Sequence, residues 1–390
     1  MTADIVYVDD EPGMLQAAAR AGRSEGRFLV FAPENSDDDE IIAAERNLWI
    51  LDFFNEPLDP QQGARDQAGS NGMTLFQKLR YLAGDYRPPT VLVSNALEAA
   101  IGTDVDMARR HLLADELGVE WIAPKTDRDG ASTLPELLAI ADAVKTVRAE
   151  WTALRDVDAP SFTAEFAHRI LALPRNSDWL RLASRDVAAW RPPSLSDGHV
   201  DHRPAAVRGE ILAKPDLAAA RSVIGWLIRQ VLFYPSFVVS RRHVAVRLGI
   251  TVACLDAAMA ANTSLRRKLA RMRYKGALAE LVDGRWWSAG IDGLAWTLPR
   301  GRDERSAALS ALLAPVVLEE LGFIDPVVVS DADLTETDEV APAAECVRAT
   351  DEHFPANAPP AWVKVDEARQ DRALARRVRA EDQERLEAAA

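Results

Sequence analysis

Five short apolar runs recur through the first 150 residues, at 4–8, 28–32, 48–53, 90–94 and 120–124. Stretches of helical periodicity separate or follow them, at 12–22, 38–46, 73–83, 97–117 and 132–149. Alternation of this kind is the sequence form of repeated βαβ units, which fold into a parallel sheet covered by helices. Crossover connections bring the carboxyl ends of parallel strands to one edge, where ligands bind. Four of the runs end on residues with chemistry to offer: Asp9-Asp10-Glu11, Asp52, Ser94 and Lys125.

That set suits phosphoryl chemistry. Asp9 or Asp10, with Asp52, supplies hard oxygen ligands for Mg²⁺, which takes one or two carboxylates and keeps waters and phosphate oxygens. Carboxylates crowded without a cation raise one another's pKa, so the cluster itself argues for a metal. Asp52 is the expected nucleophile, with the Ser94 hydroxyl and the Lys125 ammonium each directed at a phosphoryl oxygen. Any one of these residues at a strand end is an ordinary turn residue. The weight lies in all four falling in order at matching ends.

The segment from residue 1 to about 130 resembles the receiver domain of two-component response regulators. Val8-Asp9-Asp10-Glu11 is similar to that family's acidic pair, Leu51-Asp52 to its phospho-acceptor, Val93-Ser94-Asn95-Ala96 to its Ser/Thr position and Lys125 to its lysine. The resemblance implies a doubly wound five-stranded parallel sheet of order 2-1-3-4-5, Mg²⁺ as cofactor, and phosphoryl transfer from a histidine kinase or phosphotransfer protein. It implies no catalysis beyond phosphorylation and dephosphorylation of the receiver's own aspartate. Three departures stand out. Pro124 precedes Lys125 and Thr126 follows it; Ile122 occupies the usual aromatic position; and the segment after Asp52 reads Asn55-Glu56-Pro57 before an insertion ending near Gly72. Phosphatases of haloacid-dehalogenase type share the chemistry but place the nucleophile first and the acidic pair last. Phe54 stands where their second aspartate would be.

Charge divides the chain further. Residues 1–150 carry 27 acidic against 14 basic side chains, whereas residues 201–300 carry 7 acidic against 16 basic, within a net charge of −14. The acidic first part argues against nucleic acid there, and the basic middle leaves it open. Cys254 and Cys346 have no metal-type spacing and read as reduced thiols. No apolar run approaches the roughly 20 residues of a membrane span, and a strand begins almost at Met1, so a cytoplasmic protein without a membrane partner is expected.

Beyond residue 130 the reading is a helical connector with a Pro-rich loop to 200, a mostly α-helical output domain over 201–325, and an acidic Pro/Ala-rich linker with a charged terminal helix over 326–390. His199 and His202 fall in the loop and lack further ligands. Within 241–275, nine basic residues face Asp256 alone. The segment from Ser240 through Gly249-Ile250-Thr251 to Met259 fits a helix-turn-helix, with Thr251 capping the second helix. Arg241, Arg242 and Arg247 are then candidate DNA contacts. A buried core with a solvated arginine face, serving a protein partner, phosphate buffering or a homodimer, is the competing reading. Trp286-Trp287 and Leu294-Ala295-Trp296 read as two short strands about a Gly-containing turn.

Overall fold

The computed structural model describes residues 3–9, 20, 24–31, 41–42, 46–53, 72–83, 87–94, 110–125, 133–154, 165–166, 168–174, 215–282, 284–352, 354 and 358–388. The chain divides into two compact units, one of residues 1–170 and 192–229, the other of 171–191 and 230–390. His199 and His202 lie outside the described residues.

In the first unit the apolar runs become β1 (Ile5–Val8), β2 (Phe28–Phe31), β3 (Leu48–Asp52), β4 (Thr90–Ser94) and β5 (Trp121–Pro124). They form one parallel sheet of order β2-β1-β3-β4-β5. Between and after them lie α1 (Gly72–Ala83), α2 (Arg110–Leu117), α3 (Leu134–Leu154) and α4 (Pro215–Trp226). Both alternating residue sets of β1, β3 and β4 are buried, which is why these strands read as near-continuous apolar runs. Val6, Val8, Trp49, Leu51, Leu92 and Ile122 make one core with Phe76 and Leu79 of α1. Residues 12–19, 38–40 and 97–109, where helices or parts of helices are expected, lie outside the described residues.

At the amino ends of β4 and β5 sits a buried ion pair. Arg87 and Glu120 are 2% and 3% exposed, and two guanidinium nitrogens donate to the carboxylate at 2.8 and 3.0 Å. Glu120 also accepts from the Thr90 amide at 2.7 Å.

The second unit contains β6 (Val238–Val239), α5 (Arg241–Leu248), α6 (Val252–Ala260), α7 (Ser264–Met272), β7 (Trp286–Trp287), α8 (Ser288–Trp296) and α9 (Arg302–Leu313). Gly249 closes α5 at φ +74°, in the left-handed region that glycine enters without steric cost. Thr251 caps α6, its hydroxyl accepting from the Cys254 amide at 3.1 Å. The chain therefore runs helix, turn, helix through this segment. The hairpin expected across residues 285–296 does not: β7 pairs antiparallel with β6, and the next nine residues are helical. Gly290 and Gly293 suggested a turn, but the buried pair Ile291 and Leu294, three residues apart, is a helical face.

A second correction concerns 326–364, expected as a linker. It holds a four-stranded sheet of order β10-β11-β8-β9, from β8 (Pro326–Ser330), β9 (Glu336–Pro342), β10 (Cys346–Ala349) and β11 (Ala361–Lys364). The acids that made the stretch look like a linker lie at turns and on outward positions, Asp333, Asp338 and Glu339 being exposed. Small residues fill the interior instead, Val329, Ala341 and Cys346 in one cluster and Val347, Ala349 and Val363 in another. The single exposed terminal helix is likewise three short ones, α10 (Val365–Gln370), α11 (Arg372–Arg377) and α12 (Gln383–Ala388). Ala368, Leu374 and Val378 from this region are buried, and Asp382 takes three hydrogen bonds from Arg348. Among the described residues no helix is long and apolar enough to cross a membrane.

Candidate phosphoryl-transfer site

The parallel register sets Val8, Leu51, Leu92 and Ile122 side by side near the carboxyl ends of β1, β3, β4 and β5, with Asp52, Val93 and Ala123 one step further on. Each ladder then runs slightly further. Asp9 donates its amide to Phe31 at 3.2 Å, Phe53 to Val93 at 2.6 Å and Lys125 to Ser94 at 3.1 Å. Asp9, Asp52, Ser94 and Lys125 are consequently held by backbone bonds rather than left on free loops.

Lys125 joins the group. Its Nζ lies 2.8 Å from Asp9 Oδ2 and 3.1 Å from Asp52 Oδ2. Asp9 is wholly buried, Lys125 is 2% exposed, and the Asp52 side chain is 9% exposed. Burial alone would lower the Lys125 pKa, but hydrogen bonds and charge from Asp9 and Asp52 outweigh it, and the ammonium ends above its ordinary value. The lysine is therefore a fixed cation at neutral pH. Ser94 donates its hydroxyl to the Phe53 carbonyl at 3.3 Å, one residue from Asp52.

Three contributors were not picked out from the sequence. Tyr7 donates its hydroxyl to Asp9 Oδ2, the same oxygen that meets Lys125. Period-two alternation puts residues 7 and 9 on one face of the strand, so this contact was open to anticipation. Gly72, first residue of α1, packs against the strand end that carries Asp52. A Cβ there would lie 1.8 Å from the Asp52 carbonyl oxygen. Thr133, just before α3, donates its hydroxyl to the Pro124 carbonyl at 2.5 Å and braces the Lys125 turn. Neither long-range contact leaves a local signature.

The donor set suits a hard divalent cation: two carboxylates meet at one point and offer only oxygen. Asp10, expected as a further ligand, lies outside the described residues. Among the described residues no group of three His, Cys, Asp or Glu is close enough to hold a metal.

The three nominated arginines of the second unit are engaged internally. Arg241 lies 3.6 Å from Asp256. Arg242 pairs with Asp338 and approaches Glu336 at 3.9 Å. Arg247 meets Asp292 at 3.0 Å and donates to Ser288 Oγ at 2.7 Å. A different set faces solvent. On α7, Leu265 and Leu269 are buried, while Arg266, Arg267, Lys268 and Arg271 are exposed and pair with no carboxylate among the described residues.

No protein-family model and no curated protein matches the chain. The reading of function therefore rests on topology and geometry.

Proposed function

We propose that the N-terminal unit is a doubly wound receiver domain that accepts a phosphoryl group on Asp52, as a response regulator in a phosphorelay. The observation that carries this reading is the single ammonium of Lys125 set between Asp9 and Asp52 at the carboxyl ends of a parallel 2-1-3-4-5 sheet. A lone buried lysine pair would have a structural explanation. Here the pair stands beside a hydroxyl on the neighbouring strand end, at the edge where such sheets bind ligands.

In this reading an Asp52 carboxylate oxygen attacks the phosphorus of a phosphohistidine on a kinase or phosphotransfer protein. An O–P bond forms, the N–P bond breaks, and its electron pair returns to the imidazole. Lys125 and Ser94 are placed to stabilise the equatorial oxygens of the loose transition state. Mg²⁺, held by Asp9, Asp10 and Asp52, supplies charge neutralisation when bound. Burial of both alternating residue sets of the central strands supports helices on both faces of the sheet. The output is controlled through a protein partner or by phosphate buffering.

The test is incubation of the full chain with acetyl phosphate and Mg²⁺. One hydroxylamine-labile phosphoryl group is expected, absent from Asp52→Asn. An adduct that persists in that variant, or that resists hydroxylamine, overturns the assignment.

A DNA-binding output is the second reading, favoured by the α5–turn–α6 geometry and the unpaired basic face of α7. Arg266→Ala and Arg271→Ala should each reduce the salt slope of DNA binding by about one. A gel shift with no retarded band at low salt removes this reading.

A further inference from the structure

Two helix–turn–helix pairs overlap in the second unit. Gly249-Ile250-Thr251 separates α5 from α6, and Ala261-Asn262-Thr263 separates α6 from α7. A pair joined by so short a turn can present its second helix to a nucleic-acid groove. Spacing fits both pairs, so charge has to choose between α6 and α7.

α6 carries no basic residue. Its exposed positions are Ala253, Asp256, Ala257 and Ala260. A further carboxylate stands at its amino end, the part of a groove-reading helix that meets the bases. There the Thr251 amide donates to the Glu319 carbonyl at 2.9 Å, and the Thr251 hydroxyl donates to the Glu319 carboxylate at 3.1 Å. A phosphate backbone brought to this helix meets alanines and carboxylates.

α7 has the opposite character. Residues 264–275 hold six basic side chains and no acidic one. Arg266, Arg267, Lys268, Arg271 and Lys275 are exposed and pair with no carboxylate among the described residues. Only the stripe of Leu265, Leu269 and Met272 packs into the core, so the cationic remainder projects from it. The helix is also fixed at both ends. Thr263, wholly buried, accepts from the Arg266 amide at 3.0 Å and donates to the Ala258 carbonyl of α6 at 3.0 Å. Beyond Met272, the Tyr274 amide donates to the Arg285 carbonyl at 2.9 Å. A rigid, projecting, cationic helix fits the major groove of B-form DNA, about 12 Å wide. The deep, narrow major groove of an RNA duplex excludes it.

We propose that α7 is the helix that enters the major groove of duplex DNA, with α6 as its supporting partner, one helix further along the chain than the α5–α6 pair. The inference rests on the DNA-binding reading of the second unit. It is tested by the fluorescence anisotropy of a labelled DNA duplex of mixed sequence, titrated with the full chain across a salt series. Arg267→Ala and Lys268→Ala leave the packing stripe untouched. Each should keep the parent's thermal melt and reduce the salt slope by about one. Lys268→Arg should bind as the parent does. Ala253→Glu and Ala257→Glu put new carboxylates on the exposed face of α6, in a residue type that helices accept, and should leave affinity and slope unchanged. An RNA duplex of the same length and poly-glutamate should each compete about tenfold less well than unlabelled DNA. If the α6 variants lose binding while the α7 variants keep it, DNA binding stands and the assignment to α7 falls. Equal competition by RNA overturns groove entry, and equal competition by poly-glutamate makes α7 a dock for an acidic protein instead. A parent chain that binds no duplex at low salt removes both this assignment and the DNA-binding reading.

Discussion

Gly72 shows how narrowly one residue can be specified by a neighbour twenty positions away. Any Cβ at that position meets the Asp52 carbonyl oxygen at 1.8 Å, well inside contact distance. Gly72→Ala must push α1 or the end of β3 aside, at a cost of about 1–3 kcal/mol. We expect a lower thermal midpoint together with slower phosphorylation of Asp52 by acetyl phosphate. A normal melt and normal labelling would show that the two segments part freely. Lys125 is the complementary case. Lys125→Met leaves two carboxylates facing each other in a buried site, and removing one partner of a buried ion pair costs about 3–5 kcal/mol. Acidification toward pH 4 or added Mg²⁺ should recover part of that loss, because a proton or a divalent cation replaces the ammonium. Urea unfolding at pH 7 and pH 4.5, with and without Mg²⁺, checks it. Asp9, Asp52, Ser94 and Lys125 were legible because strand ends are marked by a change from apolar to polar residues. Gly72 and Thr133 act through a close backbone approach and a hydroxyl that look the same in any sequence context, whereas Tyr7 shares a strand face with Asp9.

Among the elements, the turn between α5 and α6 is the one that sequence described best. Gly249 and Thr251 have fixed conformational tasks, a positive φ and a cap, and each task selects few residue types. Gly249→Ala forces a Cβ into the left-handed region even though the surrounding space is open. It should cost about 1 kcal/mol, and Thr251→Ala about the same. Both should lower the midpoint of chemical unfolding followed at the second unit's tryptophans, and an unchanged midpoint in both would mean that the turn adapts. The strands β8 to β11 were missed for the opposite reason. Their inward residues are Val, Ala and Cys, while β9 opens with Glu336-Thr337-Asp338-Glu339. The sheet has apolar alternation too weak in mean hydropathy to separate it from a linker. In α8, two glycines outweighed the three-residue spacing of Ile291 and Leu294. The ambiguity was between a turn signal and a short helical face, and nine residues gave too little periodicity to resolve it.

At the scale of the molecule, acid should act on the second unit through His243. Its pKa is about 4 in the fold against an ordinary 6.5, so the unfolded chain binds the proton first. Stability contributed by keeping this imidazole neutral is present above pH 6.5 and is lost as pH falls toward 4, by up to roughly 3 kcal/mol. Denaturation of the full chain across pH 4.5–7 should show this slope, and His243→Gln should flatten it. An equal slope in the variant would assign the acid sensitivity to other groups. In the first unit, charge works as a fastening. Glu120 grips Arg87 and the Thr90 amide at the amino ends of β4 and β5, and Lys125 grips Asp9 and Asp52 at the carboxyl ends. A sheet riveted at both ends cannot slide by a residue without tearing one rivet out of its socket. New charge arriving on Asp52 would then find the strands unable to give lengthwise, and the strain would have to leave sideways, through the segments that follow them.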